Sequence, residues 1–248
     1  MLFDTFTKNP GVAFLCVLLA AIPIGFYLWF FLKKDREPRR VVIKTFAIGC
    51  FSVVPLSLMQ YFFANNPSFN IYDMIHNNVS SAVLMWGLMY LFIGATEEYA
   101  KHLVVRIIDH KDRAFHRIVD GIEMSLIAAL GFSFIEHIVY FIAIYNRGGW
   151  SELLVPFIFR ATLTTLAHAT FSAIYGYYYG RSRFQKDFVT KQRTVFQGLL
   201  IAMVLHGIFN TLLEFNIAWG IIPLLVLQLV FILNQLKKEG NKFMMRWR

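Results

Sequence analysis

Cysteine and acidic charge are both scarce in this chain. Its 248 residues hold two cysteines, Cys16 and Cys50, and 15 Asp and Glu against 24 Lys and Arg. Both cysteines fall within long apolar runs, so they imply no disulfide framework. Charged residues make up 16% of the chain, short of the roughly 25% of an average soluble domain. There is no repeat at a solenoid period and no low-complexity segment, which excludes stacked-repeat and linker-dominated architectures. Gly-x-Ser-x-Gly, His-Glu-x-x-His and a pair of aspartates within an apolar run are also missing. Serine, zincin and aspartyl protease readings lose ground accordingly.

What is abundant is apolar surface: 57% hydrophobic residues, 17% aromatic, and a mean hydropathy of +0.54. Seven runs approach or exceed the roughly 20 residues needed to cross a hydrocarbon core. They are 11–32, 42–64, 81–108, 121–145, 153–180, 194–213 and 217–236. Lipid offers backbone groups no partner, so each is expected to be helical. The fold class is therefore an all-α, polytopic membrane bundle of about seven transmembrane helices. With short connections throughout, residues 1–248 read as one membrane-embedded domain, its chemistry concentrated in 81–213.

Loop charge gives the orientation, because short cytoplasmic loops retain Lys and Arg. "KKDREPRR" from Lys33, the stretch Arg106 to Arg117, "RSRFQKDFVTKQR" from Arg181 and the tail from Lys237 are basic. "NNPSFNIYDMIHNN" and "EFN" carry no Lys or Arg, and "NRGGWSE" carries one. The alternation predicts the N-terminus outside and the C-terminus inside. The first apolar run is followed by lysines and lacks a small-x-small cleavage site, so it is expected to be a retained span rather than a signal peptide. The net charge of +9 belongs to those loops, which face anionic headgroups. The lipid bilayer is then the expected partner, and nucleic acid is not.

Ionisable residues inside spans are expensive and mark function by default. The third run has Glu97, Glu98 and Lys101; the fourth Glu136 and His137; the fifth Arg160 and His168; the sixth His206 and Asn210. Glu97 and Lys101 are four apart and Glu98 and Lys101 three apart, so one lysine can hold one carboxylate ionised. Two adjacent carboxylates resist ionising together in low dielectric, which leaves the other available as a proton acceptor. Arg160, Thr164, His168 and Ser172 form one stripe at intervals of four, and His206, Asn210 and Glu214 another. Glu97, His168 and His206 lie 11 or 12 residues from the cytoplasmic end of their run and Glu136 lies 15, roughly 15 to 25 Å at helical rise. A shared polar layer near mid-membrane is expected.

Structural readings compete with functional ones at several positions. His137 and His206 alone would more simply make helix–helix hydrogen bonds. Lys101 and His102 would snorkel to the interface, Asp120 would be an N-cap, and "YGYYYG" from Tyr175 would be packing and interfacial belt. The Glu97–Glu98 pair has no comparably cheap structural role. Carboxylates with two histidines and an asparagine in a wet cavity suit hydrolysis of an amide, with a carboxylate base and His and Asn donors for the oxyanion.

"EEYAK" at Glu97, "GFSFIEHIVY" around Glu136, Arg160 with "HATFSAIYGYYYG" at His168, "HGIFN" at His206 and the "DG" at Asp120 together resemble the PrsW family of intramembrane proteases. More distantly they resemble the CAAX prenyl endopeptidases, with their Glu pair and His-x-x-x-Asn. His137 departs from the pattern, since many PrsW-like sequences have Asn there. The resemblance implies a bacterial, multi-pass plasma-membrane protease that begins release of a sigma factor by cutting a membrane-anchored anti-sigma protein. Residue chemistry and resemblance agree on Glu97 as base and Glu98 as its partner held by Lys101. His168 would orient water or polarise the carbonyl, Glu136 would hold a histidine or water, and His206 and Asn210 would donate to the oxyanion. Arg160 would support the set. No metal is expected; zinc or another divalent ion, if bound, would use Glu136, His168 and His206. The alternatives are a proton-coupled transporter, a CAAX-protease-like hydrolase with another substrate, and a non-catalytic receptor or scaffold.

Overall fold

The structure, a computed structural model, describes residues 9–32, 38–66, 68–112 and 116–245. Every regular element among them is helical. In chain order they are α1 (Pro10–Leu32), α2 (Arg39–Asn65), α3 (Ile71–Asn78), α4 (Ala82–Asp112), α5 (Ile118–Gly148) and α6 (Leu154–Phe159). A π-helical turn (Arg160–Thr164) then leads into α7 (Thr165–Ser182), followed by α8 (Phe188–Glu214) and α9 (Ala218–Met245). Among the described residues, six stretches are long and apolar enough to cross a membrane: Pro10–Phe30, Arg39–Asn65, Ile118–Gly148, Leu154–Ser182, Phe188–Glu214 and Ala218–Glu239. α4 is as long as α5, at 31 residues, but its charged residues keep it out of that group.

α5 runs through the centre of the bundle. Between its few polar positions it is apolar round most of its circumference, as a largely enclosed helix is, and Ile122, Met124, Ile127, Leu130 and Phe132 are fully buried. It packs against α7, α2 and α1. The crossing with α7 is close: a Cβ on Gly121 would run into the backbone of Gly176 and Gly180. The "GYYYG" stretch thus carries a Gly-x-x-x-Gly contact that lets two backbones touch, in addition to its aromatic packing. Large apolar side chains such as Phe14, Ile43, Leu58 and Leu227 point outward, as they do where lipid is the solvent.

Three local features depart from the sequence expectation. α3 falls in a segment read as loop; Asn70 caps it, its side chain accepting from the Asp73 amide at 3.1 Å. Asp120 is not the N-cap of α5 but its third residue, with Arg117 at the cap. Its carboxylate still satisfies the helix start, accepting from the His116 and Arg117 amides at 2.8 and 2.7 Å. The fifth span is broken by the π turn, which inserts one extra residue into the helical ladder. Pro23, Pro55 and Pro223 lie inside α1, α2 and α9, whereas α4, α5, α7 and α8 contain none. Before α8, Asp187 accepts from the Thr190 amide at 2.7 Å, which holds its carboxyl below the usual range.

Candidate active site

The polar residues of α4, α5, α7 and α8 meet in one layer. On α4, Lys101 Nζ reaches Glu98 Oε1 at 2.7 Å and stands 4.0 Å from Glu97 Oε2. The lysine is 1% exposed, so it does not snorkel: at i and i+3 on the buried face it pairs with Glu98 inside the protein. Its ammonium lies 2.8 Å from His168 Nδ1 and 4.5 Å from the centre of the Phe132 ring, a distance at which the ring quadrupole attracts a cation.

Each site histidine touches a carboxylate from another helix. His206 Nδ1 of α8 is 3.0 Å from Glu98 Oε1, and its Nε2 is 3.7 Å from Glu97 Oε2. His168 Nε2 of α7 is 2.9 Å from Glu136 Oε2 of α5. The two imidazoles stand perpendicular with centres 5.0 Å apart. Ser172, one turn after His168, donates to Glu98 Oε2 at 2.9 Å, so Glu98 is held by three partners. Glu136 is the more open carboxylate, its side chain 29% exposed, and Arg160 binds its Oε1 at 2.6 Å.

Glycine sets how closely α4 and α8 approach here. A Cβ on Gly94 would lie 3.0 Å from His206 Cβ, and one on Gly207 would lie 2.9 Å from Leu91 Cα. Any larger residue at Gly207 would therefore push His206 away from the glutamate pair. The π turn acts in the same way on the other flank, aiming Arg160 at Glu136 from the helix that carries His168. π turns inserted in helices occur often at functional sites.

The expected residues are unequally placed. Glu97, Glu98, Lys101, Glu136, Arg160, His168 and His206 come together. Asn210 is partly buried and, among the described residues, its side chain makes no hydrogen bond. Glu214, two turns after His206, pairs instead with the Tyr90 hydroxyl at 2.6 Å. His137 bridges helices, contacting Thr165 Oγ1 at 2.8 Å. His102 is also interior, 2.6 Å from the Tyr175 hydroxyl. Sequence reasoning missed Phe132 and Tyr140, whose rings lie against Lys101 and Arg160. The signal was their spacing, four residues either side of Glu136 on one helical face.

Three carboxylates against Lys101 and Arg160 leave one excess negative charge in the layer when both histidines are neutral. A shared proton or a bound cation offsets such an excess. The donor atoms that converge are those of Glu97, His168 and His206, all within 4.8 Å of one another. Sequence reasoning put Glu136 in that set; the structure directs Glu136 to His168 and Arg160 instead. Glu97 Oε2 is buried without a hydrogen-bond partner. Two imidazoles and a carboxylate are a donor set that suits a catalytic metal. Each imidazole also has an outer carboxylate contact of the kind that orients metal-bound histidines.

A family model described as PrsW family intramembrane metalloprotease matches residues 37–235. Among similar curated proteins is Protease PrsW of Clostridioides difficile (strain 630), 31% identical over 230 residues that cover 90% of this chain and 91% of that one. Protease PrsW of Oceanobacillus iheyensis is 29% identical over 232 residues, covering 92% and 97%. Protease PrsW of Bacillus subtilis (strain 168) is 27% identical over 236 residues, covering 93% and 98%. No solved structure matches the chain. With six apolar helices and bacterial relatives, this is a multi-pass bacterial membrane protein. The chain belongs to the PrsW family of intramembrane proteases.

Proposed function

We propose that this membrane protease hydrolyses a peptide bond in or near the membrane-spanning part of an anchored protein, an anti-sigma-like protein being the substrate class, through water activated at Glu97. The observation that carries this reading is the unequal treatment of the glutamate pair. Glu98 is committed to Lys101, Ser172 and His206, whereas Glu97 Oε2 has no hydrogen-bond partner. A free carboxylate oxygen beside two imidazoles can accept a proton from water as that water attacks the carbonyl.

The other residues have supporting roles in this reading. Glu136 and Arg160 fix His168, and Glu98 fixes His206, so that both imidazoles face the water. His206 and Asn210, one turn apart on α8, donate to the oxyanion as charge develops on it. Lys101 keeps Glu98 ionised, which leaves Glu97 as the proton acceptor. Collapse of the tetrahedral intermediate breaks the C–N bond, and the proton held by Glu97 passes to the leaving amine. Seven spans, with the N-terminus outside and the C-terminus inside, would place this layer within the bilayer.

A second reading is favoured by the convergence of Glu97, His168 and His206 and by the metalloprotease description of the matched family. Those three residues would hold a divalent ion such as zinc, which when bound lowers the pKa of water and polarises the carbonyl. In that arrangement Glu98 and Glu136 orient the two imidazoles, and Lys101 competes for His168 Nδ1 and Glu97, which it already approaches. Elemental analysis and chelation decide between the readings. The first expects substoichiometric metal and unchanged cleavage of an anchored peptide after prolonged chelation. One metal per chain, with activity lost on chelation and restored by zinc, would establish the second.

A further inference from the structure

At the end of the bundle that the loop charges assign to the cytoplasm, α4, α7 and α8 part around a cavity of about 820 Å³. That volume lies within the roughly 300 to 1,000 Å³ of small-molecule sites. Arg106, His110, His116, Arg183 and Lys191 line it. Among the described residues, the side chains of Arg106, His110 and Lys191 have no ion-pair or hydrogen-bond partner. Among the described lining residues the one acid is Asp109, which is engaged within the wall: its Oδ2 accepts from the Tyr179 hydroxyl at 2.8 Å and lies 3.4 Å from Arg183 Nε. Among the described lining residues, three permanent cations and one carboxylate leave two positive charges in excess before either histidine is counted. Cations gathered round one cavity repel one another, and an anion between them relieves that repulsion.

We propose that this cavity binds a phosphate-bearing anion, and specifically the headgroup of an anionic phospholipid. The cations sit on the last turns of α4, just beyond the end of α7 and on the first turn of α8, the level at which the loop charges put the cytoplasmic headgroups. Basic clefts between membrane helices on the cytoplasmic side are suited to such headgroups. The same wall carries Leu103 and Ile107, each 39% exposed, so apolar surface for an acyl chain adjoins the cations. A soluble phosphate would make no use of it. His102 also lines the cavity and contacts Tyr175 of α7, so an occupant would tie together the three helices that carry Glu97, His168 and His206. The inference does not depend on which residue activates water.

The test uses the full chain in nanodiscs at fixed ionic strength and reads the midpoint of thermal unfolding. Replacing part of the phosphatidylcholine with phosphatidylglycerol is expected to raise the midpoint by about 5 °C. The variant R106Q/K191Q should lose most of that rise, whereas K237Q/K238Q, altered on exposed α9 lysines outside the cavity, should keep it. K191Q alone, together with counting retained phosphatidylglycerol by mass spectrometry, serves if the double variant folds poorly. An equal rise with inorganic phosphate in phosphatidylcholine, lost in the same variant, would keep the phosphate chemistry and assign it to a soluble source. A lipid response identical in wild type and R106Q/K191Q would overturn the proposal, as would no response to either anion. So would a lipid response absent from all proteins alongside a raised KM of the double variant for an acidic-tailed substrate, which would assign the cavity to a peptide.

Discussion

At Glu97 the proposed chemistry reduces to one oxygen atom. Glu97→Gln keeps the shape and removes the proton acceptor, so cleavage should fall by about 10² to 10⁴-fold while the protein inserts and unfolds as before. His168→Ala should do the same, because it removes the imidazole between Glu136 and Lys101. A well-folded Glu97→Gln enzyme with full activity in a purified assay would remove Glu97 from the mechanism. The partnership of Glu98 with Lys101 was legible in the sequence because it lies along one helix, where spacing alone fixes the geometry. That Lys101 also reaches His168, and that Glu97 rather than Glu136 faces His206, was not. Those pairings depend on how separate helices are rotated against one another, and a single sequence holds no record of that. Asn210 shows the converse: its spacing from His206 is plain, but its partner is expected only once substrate is bound.

Among the elements, α8 and the broken fifth span carry the sharpest predictions. Gly207→Val would place side-chain atoms against the α4 backbone at Leu91. It should lower stability by about 1 to 3 kcal/mol, the usual cost of overpacking, and weaken cleavage by moving His206. Leu200→Val, at an outward-facing position on the same helix, should change neither by much. Deleting Ala161 would convert the π turn to ordinary helix and rotate the preceding residues by about 100°. Arg160 would then leave Glu136, and activity should fall at least about tenfold with the melting midpoint held or raised. A deletion variant of normal activity would show that Arg160 is dispensable. The positions of the long helices followed from hydropathy, because a span has one dominant physical requirement. The π turn did not, since nothing in "RATLT" is unfavourable to an α-helix, and only the fit of Arg160 and His168 to a common carboxylate distinguishes the two forms.

For the whole molecule, the loop charges predict that reporter fusions at Asp187 and at the C-terminus report cytoplasm, and fusions at Asn66 and Gly148 the opposite side. A cytoplasmic signal at Gly148 would break the seven-span arrangement. Charge and hydropathy together specified a helical bundle and the helices that carry its chemistry. They could not reveal the cavity beside Arg106, which exists because three helices diverge there. Lys101 offers a different kind of measurement. Sealed at 1% exposure, its amine should be inert to a water-borne acylating reagent that modifies surface lysines within minutes. Its slow acylation, followed peptide by peptide, would time the excursions in which α4 separates from α7, and a bound substrate or inhibitor that holds the helices together would lengthen that interval.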